Sequence, residues 1–159
     1  MPGGTYKVKE QSLIMCREPR NHLSALPPAV MVHGLTQARA ALAPERPVTL
    51  LSAPGAAGAW GCLWWQNLLA AVSHAGPALL DCGYSPGRAV EALMLGVQGV
   101  VLAPNPAWAD VASLAQKKQA LLLPAPPAAL DMGQRQDARR LLMWLAQEAA
   151  SDDSARPMA

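Results

Sequence analysis

Two short segments carry side chains that could do chemistry, and each follows an apolar run. His33 comes directly after residues 29–32, and Asp81 and Cys82 come directly after residues 78–80. A thiol nucleophile needs a base to take its proton, and a carboxylate commonly orients that base. These residue types predict a Cys82 nucleophile with His33 as base and Asp81 as the orienting acid. The structural alternative makes Asp81 a helix cap, Cys82 a small buried hydrophobic residue and His33 part of a turn.

A glycine-rich loop at residues 52–61 is a second candidate site. It follows an apolar run and opens a helix, so its backbone N–H groups could hold a phosphate or a carboxylate. The glycines follow G-x-x-G-x-x-G rather than the dinucleotide pattern G-x-G-x-x-G, and no Lys-Ser/Thr pair follows as in a P-loop. No cofactor is therefore predicted. The residues expected to line a ligand site here and at neighbouring strand ends are Ser52, Gly55, Gly58, Ser85 and Asn105.

Composition and spacing argue against several other classes of protein. The three histidines have no partner at the spacing of metal ligands, so no metal site is predicted. The cysteines Cys16, Cys62 and Cys82 form no CxxC pair and suit a reducing compartment. The net charge is +2 and the basic residues are scattered, which predicts no nucleic-acid partner. Without a signal-peptide core or a membrane-length apolar run, the chain is predicted to be cytoplasmic, with no membrane partner.

The elements that must position these residues repeat along the chain. Short, continuous apolar runs are typical of strands that are buried on both faces of a parallel sheet. They lie at residues 29–32, 48–51, 78–80, 100–103 and 120–123, with helical segments at 36–42, 59–73, 87–95, 107–117 and 134–149. The chain has 159 residues, of which 52% are hydrophobic, enough for one core. We predict a single α/β domain at 29–150, an irregular N-terminal arm at 1–28 and a frayed tail at 151–159.

Repeated βα units in series favour an open parallel sheet with the flavodoxin-like order 2-1-3-4-5, and a partial β/α barrel is the alternative. An internal repeat supports the units, because residues 32–54 and 81–104 both run strand, glycine turn, arginine-bearing helix, strand and Ala-Pro. Ligands of such sheets bind beyond the carboxyl ends of the strands, where the strand order reverses. In the favoured order the first and third strands are neighbours, so His33, Asp81 and Cys82 are expected to converge there.

One segment resembles a known family. Residues 87–93, Gly-Arg-Ala-Val-Glu-Ala-Leu, and residues 96–102, Gly-Val-Gln-Gly-Val-Val-Leu, are similar to the strand–helix unit of phosphate-sugar aldolases and thiamine-phosphate synthases. Those families usually place a lysine or a phosphate-binding glycine pair at strand ends. Here the lysines are Lys7, Lys9, Lys117 and Lys118, and none ends a predicted strand. The resemblance therefore implies the β/α architecture and no particular activity.

Tryptophans mark a different feature, a surface for self-association. Trp60, Trp64 and Trp65 lie on a predicted helix that is apolar nearly all round, and Trp144 accompanies leucines on the last helix. Positions 64 and 65 point about 100° apart, so one helix face cannot bury both. This pattern predicts a homo-oligomer that forms through the helix at 59–73 or the helix at 134–149.

Three functions follow, in order of preference. The first is a protein that binds a phosphorylated or carboxylated small metabolite at the carboxyl edge of its sheet, with enzymatic activity left open. The absence of lysine at that edge means that any catalysis would use acid–base or thiol chemistry. The alternative is a non-catalytic oligomeric or scaffold domain whose strand-end residues are caps. The third is a nucleotide-binding Rossmann-like domain.

Overall fold

The computed structural model describes residues 26–134 and 138–147, and the expectations for most of the arm, for Cys16 and for the tail lie outside these residues. The strands are β1 (Ala29–Val32), β2 (Thr49–Ser52), β3 (Ala78–Asp81), β4 (Gly99–Val101), β5 (Leu121–Leu123) and β6 (Ala129–Asp131). The helices are α1 (Leu35–Leu42), α2 (Ala56–Trp60), α3 (Cys62–Ala71), α4 (Pro86–Met94), α5 (Trp108–Lys117) and α6 (Ala138–Ala146). Within this part of the chain, no helix combines the length and the apolar character needed to cross a bilayer.

The strands form one parallel sheet in the order β5-β4-β3-β2-β1-β6. The predicted α/β class and open parallel sheet are confirmed, and all five predicted strands are present. The strand order differs from 2-1-3-4-5, because β2 lies between β1 and β3. From β1 to β5, each strand pairs with the strand that precedes it in the sequence. The direction in which strands are added reverses only at β6, which pairs with the free edge of β1.

The sheet is buried on both faces, which explains why its strands read as continuous apolar runs. On one face, alternate strand residues such as Leu50 and Leu80 join a large core with residues from all six helices described. Residues on the opposite face, Leu51, Leu79, Val101 and Leu123, form a smaller buried cluster. The crossover helices therefore share one face of the sheet, as they do in β/α barrels.

The short connection from β5 to β6 requires the sheet to curve. From Leu123 to Ala129 an extended chain reaches at most about 22 Å. In a flat six-stranded sheet, the two outer strands would lie about 24 Å apart, and the connection must also return from the carboxyl to the amino end of the strands. The curvature brings β5 and β6 closer together, yet they form no ladder in the part of the chain described, and the sheet stays open.

Glycine divides one predicted helix. The helix expected at 59–73 is two helices, α2 and α3, which meet at Gly61 with a φ of 82°. This left-handed conformation is easy for glycine and breaks the run of helical dihedral angles. The break separates Trp60 from Trp64 and Trp65, so the three rings lie on two helices rather than one.

Three crossover helices end in the same way. After α3, α4 and α5 the first residue beyond the C-cap has a left-handed φ of 52°, 85° and 55°, at Ser73, Gly96 and Gln119 respectively. The N–H of the following residue donates to the carbonyl five residues earlier at 2.9 to 3.0 Å, as in a Schellman motif. Only Gly96 avoids the steric cost of a Cβ in this conformation.

Candidate functional site

The parallel sheet brings the strand-end residues to one edge. His33 follows β1, Ser52 and Asp81 end β2 and β3, Asn105 lies just beyond β4, and Asp131 ends β6. Because all six strands point the same way, these residues share the carboxyl edge, where parallel sheets bind ligands.

Asp81 joins two loops at this edge. Its Oδ1 accepts the backbone N–H of Gly55 at 3.0 Å and that of Gly83 at 2.8 Å. Its own N–H donates to Ser52 Oγ at 2.8 Å. Asp81 is only 6% exposed, and its Oδ2 accepts no hydrogen bond from any residue that the structure describes. The carboxylate thus ties the loop after β2 to the turn after β3.

His33 pairs with Asp131. His33 Nε2 lies 2.7 Å from Asp131 Oδ1, and the same oxygen accepts the Gly133 N–H at 2.8 Å. The His33 backbone N–H donates to Gln37 Oε1 at 2.7 Å, which anchors the turn before α1. Both side chains of the pair are about one-third exposed, so solvent reaches them. The pair lies at the edge because β1 and β6 are adjacent.

Electrostatics favour the ionised form of Asp131. The hydrogen bond from His33, followed by the Gly133 N–H, lowers the pKa of the Asp131 carboxyl below its ordinary value. Asp131 is therefore a carboxylate at neutral pH and accepts a hydrogen bond from His33 Nε2–H; in the neutral imidazole this tautomer has its lone pair on Nδ1. His33 Nδ1 has no protein partner among the described residues. This arrangement has the features of a carboxylate-oriented imidazole base.

The pair depends on close approach of the backbone at Gly133. A Cβ added there would lie 2.7 Å from His33 Nε2 and 3.0 Å from Asp131 Oδ1. The first distance is shorter than real Cβ contacts, so a side chain at this position would push His33 away. Because the close atoms are the ends of the His33 and Asp131 side chains, a larger residue here would be accommodated only by moving the paired groups, and glycine preserves their geometry.

Cys82 lies in a different environment from the predicted nucleophile. It is 3% exposed and belongs to the core on the helix-covered face. Burial, with smaller contributions from Cys62 and Asp81, raises the pKa of the Cys82 thiol to about 12. The thiol is protonated at neutral pH, whereas a nucleophile needs the thiolate. The structure also brings His33 to Asp131 rather than to Asp81, because two strand spacings of about 4.8 Å separate β1 from β3.

The residues predicted to bind a ligand have mainly local partners. Asn105 forms a turn, accepting the Ala107 N–H at 2.9 Å and donating to the Ala103 carbonyl at 2.8 Å. Ser85 is the N-cap of α4, and its hydroxyl makes no capping hydrogen bond. Gly58 lies inside α2.

The N–H groups of the glycine-rich loop are largely occupied. Gly55 donates to Asp81, Ala56 donates to the Ala53 carbonyl, and Gly58 donates to the Gly55 carbonyl. These donors already have partners within the protein, so the loop does not present the open row of N–H groups that cradles a phosphate.

Sequence reasoning missed Asp131 and Gly133, although a signal was present. Residues 78–83 read Ala-Leu-Leu-Asp-Cys-Gly, and residues 128–133 read Ala-Ala-Leu-Asp-Met-Gly. In both, the aspartate ends a strand and its Oδ1 accepts the N–H of the glycine two residues later at 2.8 Å. The shared pattern A-x-L-D-x-G thus predicts a second strand end equivalent to that of β3.

A cavity adjoins the pair on the outer side of β6. It has a volume of about 490 Å³ and lies between β6 and α6. Its polar lining comes from Asp131, Gln134, Arg140 and Gln147, and its apolar lining includes Trp144. This volume is in the range of small-molecule sites. Across residues 26–134 and 138–147, no group of three His, Cys, Asp or Glu side chains is arranged to hold a metal ion.

Comparisons of this chain with protein-family models, with curated proteins and with solved structures find no match.

Proposed function

We propose that this chain binds a small anionic metabolite at the carboxyl edge of its sheet, in the cavity between β6 and α6. One observation carries the proposal: the Asp131 carboxylate that pairs with His33 at 2.7 Å also lines this cavity. Arg140 lines the same cavity, and a guanidinium is the side-chain group that best matches the geometry of a phosphate or a carboxylate.

The chemistry that this site supports is acid–base. Asp131 would contact the ligand directly, and its position is fixed by His33 and by the Gly133 N–H. A hydroxyl or amino group of the ligand would donate to the carboxylate, while Arg140 would hold the anionic end. His33 Nδ1, which has no hydrogen-bond partner among the described residues, would act as the base for a ligand group that reaches it.

The two alternatives have different support. A nucleotide-binding function is less favoured, because the N–H groups of Gly55, Ala56 and Gly58 are used within the protein. A non-catalytic oligomeric domain is favoured by a stretch of surface helix without charges, and it is compatible with metabolite binding. Ligand binding at Asp131 distinguishes the proposed function from a purely structural one.

The test is a thermal-shift screen with a panel of sugar phosphates and hydroxy acids on the whole chain. We expect one ligand class to raise the Tm of the wild type and to lose at least about tenfold in affinity with Asp131→Asn, as for loss of a charged hydrogen bond of about 1.5 kcal/mol. Asp81→Asn is the matched control, because it makes the same change in the same kind of turn. It should leave the ligand-induced shift intact.

Gly133→Ala is the second variant. It keeps both members of the pair and forces His33 away from Asp131. We expect weaker binding than in the wild type, with the cavity-lining residues unchanged. Equal ligand affinity in the wild type and in Asp131→Asn, or no stabilisation by any member of the panel, would overturn the proposed function.

A further inference from the structure

The strongest feature outside the candidate site is a long segment without charge. Residues 47–80 contain no Asp, Glu, Lys or Arg, and this segment includes α2 and α3. Each of the other four described helices carries at least one such residue: Arg39 in α1, Glu91 in α4, Asp110 in α5 and Arg140 in α6. An outer helix of a solvent-exposed layer ordinarily has a charged face. The lack of charge on α2 and α3 therefore indicates that their outer surface packs against protein and not only against water.

The exposed side of these helices is apolar and aromatic. Trp60 is 65% exposed and Leu63 is 58% exposed. The Trp60 ring contacts Trp64 with centroids 6.2 Å apart, and Trp64 contacts the fully buried Trp65 at 5.9 Å. We call Trp60, Leu63 and Trp64 the Trp60 surface. Behind this surface lies the buried Trp65, so the rings of Trp60, Trp64 and Trp65 form a row from solvent to the core, and the outermost ring packs on the rings behind it.

We propose that the Trp60 surface is the interface with a second copy of this chain. A two-fold interface sets the same patch against itself, so any charge near the axis would face its own copy. Trp60, Leu63 and Trp64 bring no charge to such an axis, and the Arg88–Glu91 ion pair on the neighbouring helix α4 is already matched within the chain at 2.7 Å. An acidic or basic partner would find no opposite charge on the three residues. Interface cores are likewise rich in aromatic residues and poor in charged ones.

The exposed area is sufficient for the centre of such an interface. From their exposed fractions and ordinary side-chain areas, Trp60 and Leu63 together expose about 250 Å² of surface to solvent. That is about one-third of the ~800 Å² that each partner contributes to a stable interface. The other exposed residues on the same helices are small or neutral: Gly58, Ala59, Asn67, Ala70 and Ala71. They allow close approach around the two large side chains.

The test is sedimentation equilibrium of the full chain at micromolar concentration. We expect a dimer for the wild type, and Trp60→Glu should weaken dimerisation by roughly 30-fold or more, as for a central aromatic residue of an interface. Leu63→Glu should act in the same direction. Both side chains are mostly exposed, so both variants should keep the circular dichroism spectrum of the wild type.

Met143→Glu is the matched control, because Met143 is 61% exposed and lies on α6, which carries charges and is remote from the Trp60 surface in the sheet order. It should leave the dimer intact. A monomeric wild type would overturn the proposal. Dissociation by Met143→Glu and not by Trp60→Glu would also overturn it, because the interface would then lie on α6.

Discussion

Asp81→Ala should destabilise the domain strongly, because this carboxylate holds two loops. The variant removes the acceptor of the Gly55 and Gly83 N–H groups and leaves both donors at a site where Asp81 is 6% exposed. Each buried donor that loses its partner costs about 1 to 3 kcal/mol, so we expect a loss of about 3 kcal/mol in the free energy of unfolding. For a chain of this length the Tm should fall by roughly 6 to 12 °C.

Asp81→Asn separates hydrogen bonding from charge. The amide oxygen can still accept both N–H groups, so this variant should lose about 1 kcal/mol and its Tm should fall by only a few degrees. Differential scanning calorimetry of the wild type and both variants at pH 7 measures the two effects. If Asp81→Ala melted within about 2 °C of the wild type, the carboxylate would not bridge the loops, and its position at the edge would need another explanation.

Two further predictions concern stability. Gln119→Gly should raise the free energy of unfolding by about 1 kcal/mol, because Gln119 has the left-handed φ that glycine adopts at the equivalent Gly96; a lower Cm in urea would contradict this. The lowered pKa of Asp131 predicts that ionisation adds up to about 1 kcal/mol, complete above about pH 5 and lost as pH falls below about 4. The Tm difference between the wild type and Asp131→Asn should therefore shrink from pH 7 to pH 3, and a constant difference would count against the pairing.

The first five strands could be predicted because each is buried on both faces of the sheet, and such burial requires a continuous run of apolar residues. The sixth strand was not predicted. β6 has three residues and follows Pro124, Pro126 and Pro127, which stop a strand by removing N–H donors. Its single apolar core residue, Leu130, gives no periodicity, and only the A-x-L-D-x-G pattern marks it.

The partner of His33 could not be predicted for a related reason. An apolar run predicts that a strand is buried, but it does not predict which strand lies beside it in the sheet. The favoured order placed β1 next to β3 and so predicted convergence on Asp81. In the structure β1 lies between β2 and β6, and His33 meets Asp131 instead. The shared edge was predictable from the parallel class, whereas the pairing within it depended on strand order.

The pairing of β6 with β1 has a consequence for how the protein is made. The register joins Ala29 to Ala129, and Trp144 Nε1 donates to the Ala29 carbonyl at 2.8 Å. On the ribosome, β1 to β5 can assemble in order of synthesis, since each strand meets the one made before it. The outer edge of β1 has no partner until β6 has been synthesised, which takes on the order of ten seconds at ordinary translation rates. During that interval the nascent chain exposes a strand edge open to other chains, and β1 stays uncovered on that side until β6 has been made.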